Sequence, residues 1–145
     1  TAGDIDAVER FLDLRAPERK RRFGEVIPCQ HDLARRDEFF SPNFIDHAGM
    51  ANPPTLAGAR VFFDMFLNAF PDHHCVIHEQ LAEGDRVMTC KTFHATHLGP
   101  FWGMPATGKP VTFNAIDIFT VADGQLTEHW LVTDLLGVMM QLGAA

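Results

Sequence analysis

The chain has no tyrosine, although it carries 13 phenylalanines and 2 tryptophans among 145 residues. Rings without hydroxyls predict a large apolar interior or cavity rather than a hydrogen-bonded aromatic surface. Cysteine is scarce: Cys29, Cys75 and Cys90 are odd in number and widely spaced. They match no disulfide framework and no zinc spacing, so a cytoplasmic location is expected. No run approaches the length of an apolar membrane span, and Asp4, Asp6 and Glu9 interrupt any signal-peptide pattern at the start. Basic residues are outnumbered, 12 against 19 acidic, for a net charge of −7. That balance argues against a nucleic-acid partner. The basic run Arg19-Lys20-Arg21-Arg22 sits beside Glu18 and Glu25 and reads as a solvated helix face. There is no Gly-rich phosphate loop, no Gly-x-Ser-x-Gly and no His-Glu-x-x-His. Eight histidines invite a metal reading, but His73-His74 are adjacent and point apart on a strand. No metal site and no cofactor is expected.

The length fits one domain, residues 1–145, with residues 1–30 as a helical extension. Apolar residues recur with helical spacing from Asp4 to Leu14. Pro17 opens a second helix that Pro28 ends, and residues 32–40 read as a third. A short extended piece, NFIDHAG, ends in Asp46-His47 and leads into the Asn52-Pro53-Pro54 loop. Thr55 then caps a helix whose stripe holds Leu56, Ala59, Phe62, Phe63, Phe66, Leu67 and Phe70. His74 to Leu81 and Val87 to His97 alternate like strands, separated by a turn at Glu83-Gly84-Asp85. An irregular Gly- and Pro-rich loop follows. Val111 to Asp134 reads as two long strands joined at Asp123-Gly124, and an amphipathic helix closes the chain. Helices grouped ahead of an antiparallel meander define an α+β protein. Long strands of this kind curl into a cone or half-barrel, with the N-terminal helices closing an apolar cavity.

The chemistry is concentrated in the last two strands. Asp117 lies inside AIDIF, and His129 follows Glu128 just before Trp130. A carboxylate among Ile and Phe is costly to bury unless paired or put to use. A three-residue Ala122-Asp123-Gly124 loop with a bulged glycine sets Asp117 directly opposite His129. A two-residue loop sets Ile118 there instead, and a slip of one residue sends the groups to opposite faces. The bulged form gives both polar groups a partner. In that dyad either the aspartate orients the imidazole or it is itself the base; abstraction of a proton beside a carbonyl fits both. The alternative is a satisfied structural pair.

Four stretches, FSPNFIDHAG (40–49), FLNAFPD (66–72), ATHLGPFWGMPATGK (95–109) and IDIFTVADGQLTEHW with its tail DLLGVMMQLG, resemble the SnoaL-like polyketide cyclases of the nuclear transport factor 2-like superfamily. The resemblance covers roughly residues 32 to 143. It implies a curved α+β fold, and an aspartate that acts as acid/base in a cofactor-free aldol closure. The counterpart of that aspartate is either Asp117 or position 131, where relatives often have Asp and this chain has Leu131. The resemblance also places Asp46 and His47 near the cavity mouth, His47 to anchor or protonate a substrate oxygen and Asp46 to steer it.

On the strand 87–97, Lys91 marks the outward face, which turns His94 inward; a bulge near the strand end turns His97 inward instead. Trp102, with Phe101, forms a lid, a stacking wall or core packing. Phe62, Phe66 and Trp130 shape the pocket. The expected function is acid/base chemistry on a small hydrophobic carbonyl-bearing or polycyclic molecule, by cyclisation, isomerisation or dehydration. The competing expectation is a non-catalytic carrier of such molecules. A homodimer through the open face of the sheet is expected in either case.

Overall fold

The computed structural model describes residues 39–144. The helical readings for residues 1–38, including helices that would close the cavity from the N-terminal side, lie outside the described residues. Within them the order is β1 (Phe40–Asp46), α1 (Leu56–Ala69), β2 (His74–Glu83), β3 (Arg86–Thr96), β4 (Pro110–Ala122), β5 (Gln125–Thr133) and α2 (Leu135–Leu142). The α+β assignment holds. The five strands form one curved sheet, ordered β1-β5-β4-β3-β2, that does not close into a barrel. It is mixed rather than purely antiparallel, because β1 runs parallel to β5. Pro42 sits in β1, an edge strand, where a missing N–H costs little of the ladder.

The alternation in β3 and β4 dictates the layering. In β3, Val87, Thr89, Lys91, Phe93 and Ala95 are buried, while their neighbours are partly or fully exposed. Val111, Phe113, Ala115, Asp117 and Phe119 do the same in β4. With a period of two, these residues share the inner face of the sheet. Helix α1 packs across that face. Thr55 caps it by accepting a bond from the Gly58 N–H, and Pro71 follows its C-cap residue Phe70. Gly58 permits the helix to settle against the preceding loop: a Cβ there would meet the Pro53 carbonyl oxygen at 1.8 Å. The loop after β3 is fastened to the other end of the helix, where Leu98 and Gly99 both donate to the Ala69 carbonyl. Two clusters of buried rings and aliphatics result, one around Phe40, Phe44 and Phe119, the other around Phe70, Phe93, Phe101 and Phe113.

The β4–β5 turn departs from the expected form. Asp123 and Gly124 both have positive φ, 52° and 74°, and Ala122 pairs with Gln125. This is a two-residue loop of the kind that matches the twist of its strands. A bulge then follows: Val121 pairs with Leu126 but Thr120 pairs with Glu128, so Thr127 is the extra residue. Its hydroxyl lies 2.6 Å from that of Thr120. Phe119 therefore faces His129, and Asp117 faces Leu131. Loop and bulge together shift the pairing by two residues from the expected register. Asp117 and His129 stay on one face but are not opposite each other.

Cys75 is disulfide-bonded and Cys90 is a free thiol, so the expectation of unbridged cysteines fails for Cys75. No helix among the described residues is long and apolar enough to cross a membrane.

Candidate functional site

Sheet and helix enclose a pocket of about 760 Å³, counting the space where it opens to solvent. Phe62, Phe63, Phe66 and Phe70 supply one wall from α1; Phe93, Phe113 and Phe119 supply the other from the sheet. Phe101 and Leu131 add to it. Among the described residues, four ionisable side chains line this apolar space: Asp46, Lys91, Asp117 and His129. All four are buried.

They fall into two pairs, and neither is the Asp117–His129 pair expected from the hairpin. Asp117 accepts a charge-assisted hydrogen bond from Lys91 Nζ. Lys91 pairs with Ala115 and Thr89 with Asp117 in the ladder. The two side chains are thus diagonal neighbours on the inner face, close enough for a long lysine to reach the carboxylate. The outward placement expected of Lys91 was wrong because Asp117 supplies the partner that makes its burial tolerable. Burial pushes the Lys91 amine below its usual range, and the Asp117 carboxylate beside it only partly opposes this.

His129 belongs with Asp46. The last residue of β1 lies in parallel register beside His129, which sets Asp46 Oδ1 3.4 Å from His129 Nδ1. The contact falls short of a hydrogen bond, and neither ring nitrogen has a hydrogen-bond partner among the described residues. The ring is held flat against Phe119, centroids 4.2 Å apart and planes 15° from parallel. Asp46 Oδ1 also accepts from the Ala48 N–H at 2.9 Å, which fixes the carboxylate in an Asx turn. Burial alone would raise the Asp46 pKa. The His129 contact, the Ala48 N–H and the nearby His47 outweigh it and hold the carboxyl below its usual value.

The remaining sequence candidates divide by face. Phe62, Phe66 and Leu131 line the pocket. His47 does not: one residue beyond Asp46, it stacks on Trp130 at 4.6 Å and places Nε2 3.3 Å from Glu128 Oε1. Trp130 likewise lies away from the pocket, with the Arg86 guanidinium 5.1 Å from its centroid. His94 turns outward, not inward, and stacks on His74; it follows from Lys91 taking the inner face. His97 points in but is fully buried and bonded through Nδ1 to Thr107, at the end of the loop. It holds the loop rather than lining the pocket. Trp102 is 46% exposed and stacks on Phe101 from outside. Lys91 is the pocket residue that the sequence reading missed. Its shared parity with Val87, Phe93 and Ala95 was the available signal. Among the described residues no group of three His, Cys, Asp or Glu is placed to hold a metal ion.

A curved α+β sheet folded over a helix, with a ring-lined pocket and a few buried titratable groups at its centre, is the nuclear transport factor 2-like architecture. Comparison narrows the class. Residues 18–142 match the SnoaL-like polyketide cyclase family, and the chain belongs to it. It is 28% identical over 107 residues to the aklanonic acid methyl ester cyclase DnrD of Streptomyces peucetius, covering 73% of this chain and 72% of that protein. Among solved structures, TsrD from Streptomyces laurentii is similar over 97% of both chains, with a TM-score of 0.76 and 25% identity. A candidate SnoaL-like polyketide cyclase from Jannaschia sp. CCS1 is 32% identical, with a TM-score of 0.74 over 87% of this chain and 89% of that one.

Proposed function

We propose that the protein is a cofactor-independent acid/base enzyme that enolises a small apolar carbonyl compound, as in the ring closure of a polyketide. The observation that carries this reading is His129. It is a buried imidazole on the wall of an apolar pocket, with a carboxylate at Nδ1 and, among the described residues, no hydrogen-bond partner at Nε2. A buried polar nitrogen left unpaired costs about 1–3 kcal/mol. A substrate hydrogen would use it.

In this scheme Nε2 of neutral His129 takes the proton next to the carbonyl. The Asp46 carboxylate fixes the tautomer with the hydrogen on Nδ1 and stabilises the imidazolium that forms. Lys91 has N–H groups beyond the one given to Asp117, and these donate to the carbonyl oxygen as it becomes an enolate. The enolate carbon attacks a second carbonyl of the same molecule, and His129 returns its proton to the new alkoxide. The phenylalanine walls hold the chain folded and keep water from the enolate. Leu131, set opposite Asp117, supplies apolar surface where relatives often have Asp.

The test is exchange of solvent deuterium into the α position of 1-tetralone, followed by mass spectrometry. Wild type should accelerate exchange, and His129→Gln should lose that acceleration by about 100- to 10,000-fold. Undiminished exchange in the variant would remove His129 from the chemistry.

We also propose a homodimer through the outer face of the sheet. Val76, Ile116 and Val132 are 45%, 46% and 77% exposed there, an apolar surface that a second copy would cover.

A further inference from the structure

The sequence contains three lysines, Lys20, Lys91 and Lys109. One of them is 3% exposed, on the wall of an apolar pocket, with a single carboxylate as its hydrogen-bond partner among the described residues. An ammonium needs three acceptors to be satisfied. A structural lysine would normally spend its remaining hydrogens on backbone carbonyls, and among the described residues none accepts from Lys91. Its ring neighbour Phe93, with Nζ 5.4 Å from the centroid, offers only a π face. The surroundings are those in which a lysine becomes a nucleophile: an apolar pocket that disfavours the charged form, and a base in contact to accept the proton.

We infer that Lys91 is a covalent site, whose amine condenses with the carbonyl of an apolar aldehyde or ketone to form an iminium. The inference rests on the pocket being a carbonyl site, as proposed above, and adds the bond that forms there. Asp117 moves the protons. It takes one from Nζ, and the free amine adds to the carbonyl carbon. Asp117 then relays the proton lost by nitrogen to the oxygen, giving a carbinolamine. Finally it returns the first proton to the hydroxyl, which leaves as water. The sum is ammonium plus carbonyl giving iminium plus water, with no change of oxidation state and no net proton. The lowered pKa of Lys91 agrees with this assignment. An iminium also makes the adjacent C–H more acidic than a ketone does, so the same His129 would have an easier proton to remove.

The experiment uses wild-type protein, benzaldehyde and sodium cyanoborohydride near neutral pH, with intact mass and peptide mapping. Benzaldehyde has no α hydrogen, so the assay reports on the amine alone and not on enolisation. The expected result is a reductive adduct on Lys91 that forms about tenfold faster than on the exposed Lys109. His129→Gln should keep this labelling while losing deuterium exchange into 1-tetralone, so the two claims fail separately. Labelling of Lys109, Lys20 or the terminal amine without preference for Lys91 would overturn the inference. So would an unlabelled Lys91, whatever the exchange assay shows.

Discussion

The Lys91–Asp117 pair offers the sharpest physical prediction. Both side chains are 3% exposed. At contact distance and an effective dielectric of about 20, their attraction is about 4 kcal/mol or somewhat more. Removing each ion from water costs several kcal/mol. Gain and cost are therefore of similar size, and the pair contributes little net stability. Cutting it in half is different, because the survivor keeps its cost and loses its partner. Lys91→Met and Asp117→Leu should each destabilise by about 3–5 kcal/mol. The double variant should lose less than either single one, and a gain of about 1–4 kcal/mol is the upper end of what such replacements achieve. Urea denaturation followed by circular dichroism measures all four corners of the cycle. Two singles that each cost under about 1 kcal/mol, or a double variant that loses their sum, would refute the reasoning. The double variant should also lose exchange activity, since the pair is then retained for chemistry rather than for stability.

Other predictions follow from the same contacts. Lys91 holds its proton less tightly in the folded state than in the unfolded one. The unfolded state binds more protons across that interval, so stability rises with pH there. The stability of the Lys91→Met/Asp117→Leu protein relative to wild type should accordingly fall as pH climbs from the folded pKa of Lys91 toward 10.5, the unfolded value. Asp46 has the opposite arrangement, with its folded pKa below the reference 3.8. Its contribution is fully present above that value and lost as pH falls through the folded pKa. Asp46→Asn should cost stability at neutral pH and almost none at the acid extreme, and it should slow tetralone exchange by about a hundredfold. Phe66→Ala removes a ring that meets Phe62, Phe70, Phe93 and Phe113. It should cost about 3 kcal/mol, the low end for such a truncation because the ring already borders a cavity, and should weaken binding of 1-tetralone by calorimetry. Val132→Lys on the outer face should leave the unfolding midpoint of the protomer nearly unchanged and shift light scattering from dimer to monomer. A wild-type protein already monomeric at micromolar concentration would remove the dimer.

Much of the fold was legible because it rests on local rules. The Thr55 cap, the phenylalanine stripe that follows it and the alternation in β3 and in β4 up to Phe119 each follow from side-chain chemistry at fixed spacing. Asp117 and His129 were expected on one face from a three-residue loop; they share it because the bulge at Thr127 offsets the two-residue loop. The pairing within the site was not legible, because three nonlocal events decide it. The two-residue loop and the bulge at Thr127 each move His129 by one position relative to β4, and at the bulge two threonine hydroxyls meet. The parallel docking of β1 on β5 brings Asp46 from 83 residues away, and nothing in the FSPNFIDHAG stretch announces its partner. Lys91 faces inward only because Asp117 is already there to receive it; read alone, a lysine in a strand looks outward. His47 and His94 were credible candidates by type, yet each lies one residue from a pocket-lining parity, and in a strand one residue is the other side of the sheet.

The central claim is that a carbonyl compound lies in this pocket with its α carbon against His129. A crystal structure of the protein with 1-tetralone bound tests it most directly. The account predicts the α carbon within about 3.5 Å of His129 Nε2 and the carbonyl carbon at Lys91 Nζ, either as the ketone with its oxygen within about 3 Å of the nitrogen or bonded to it as the iminium. A ketone bound elsewhere, or seated in the pocket with its α carbon turned away from His129, would contradict it.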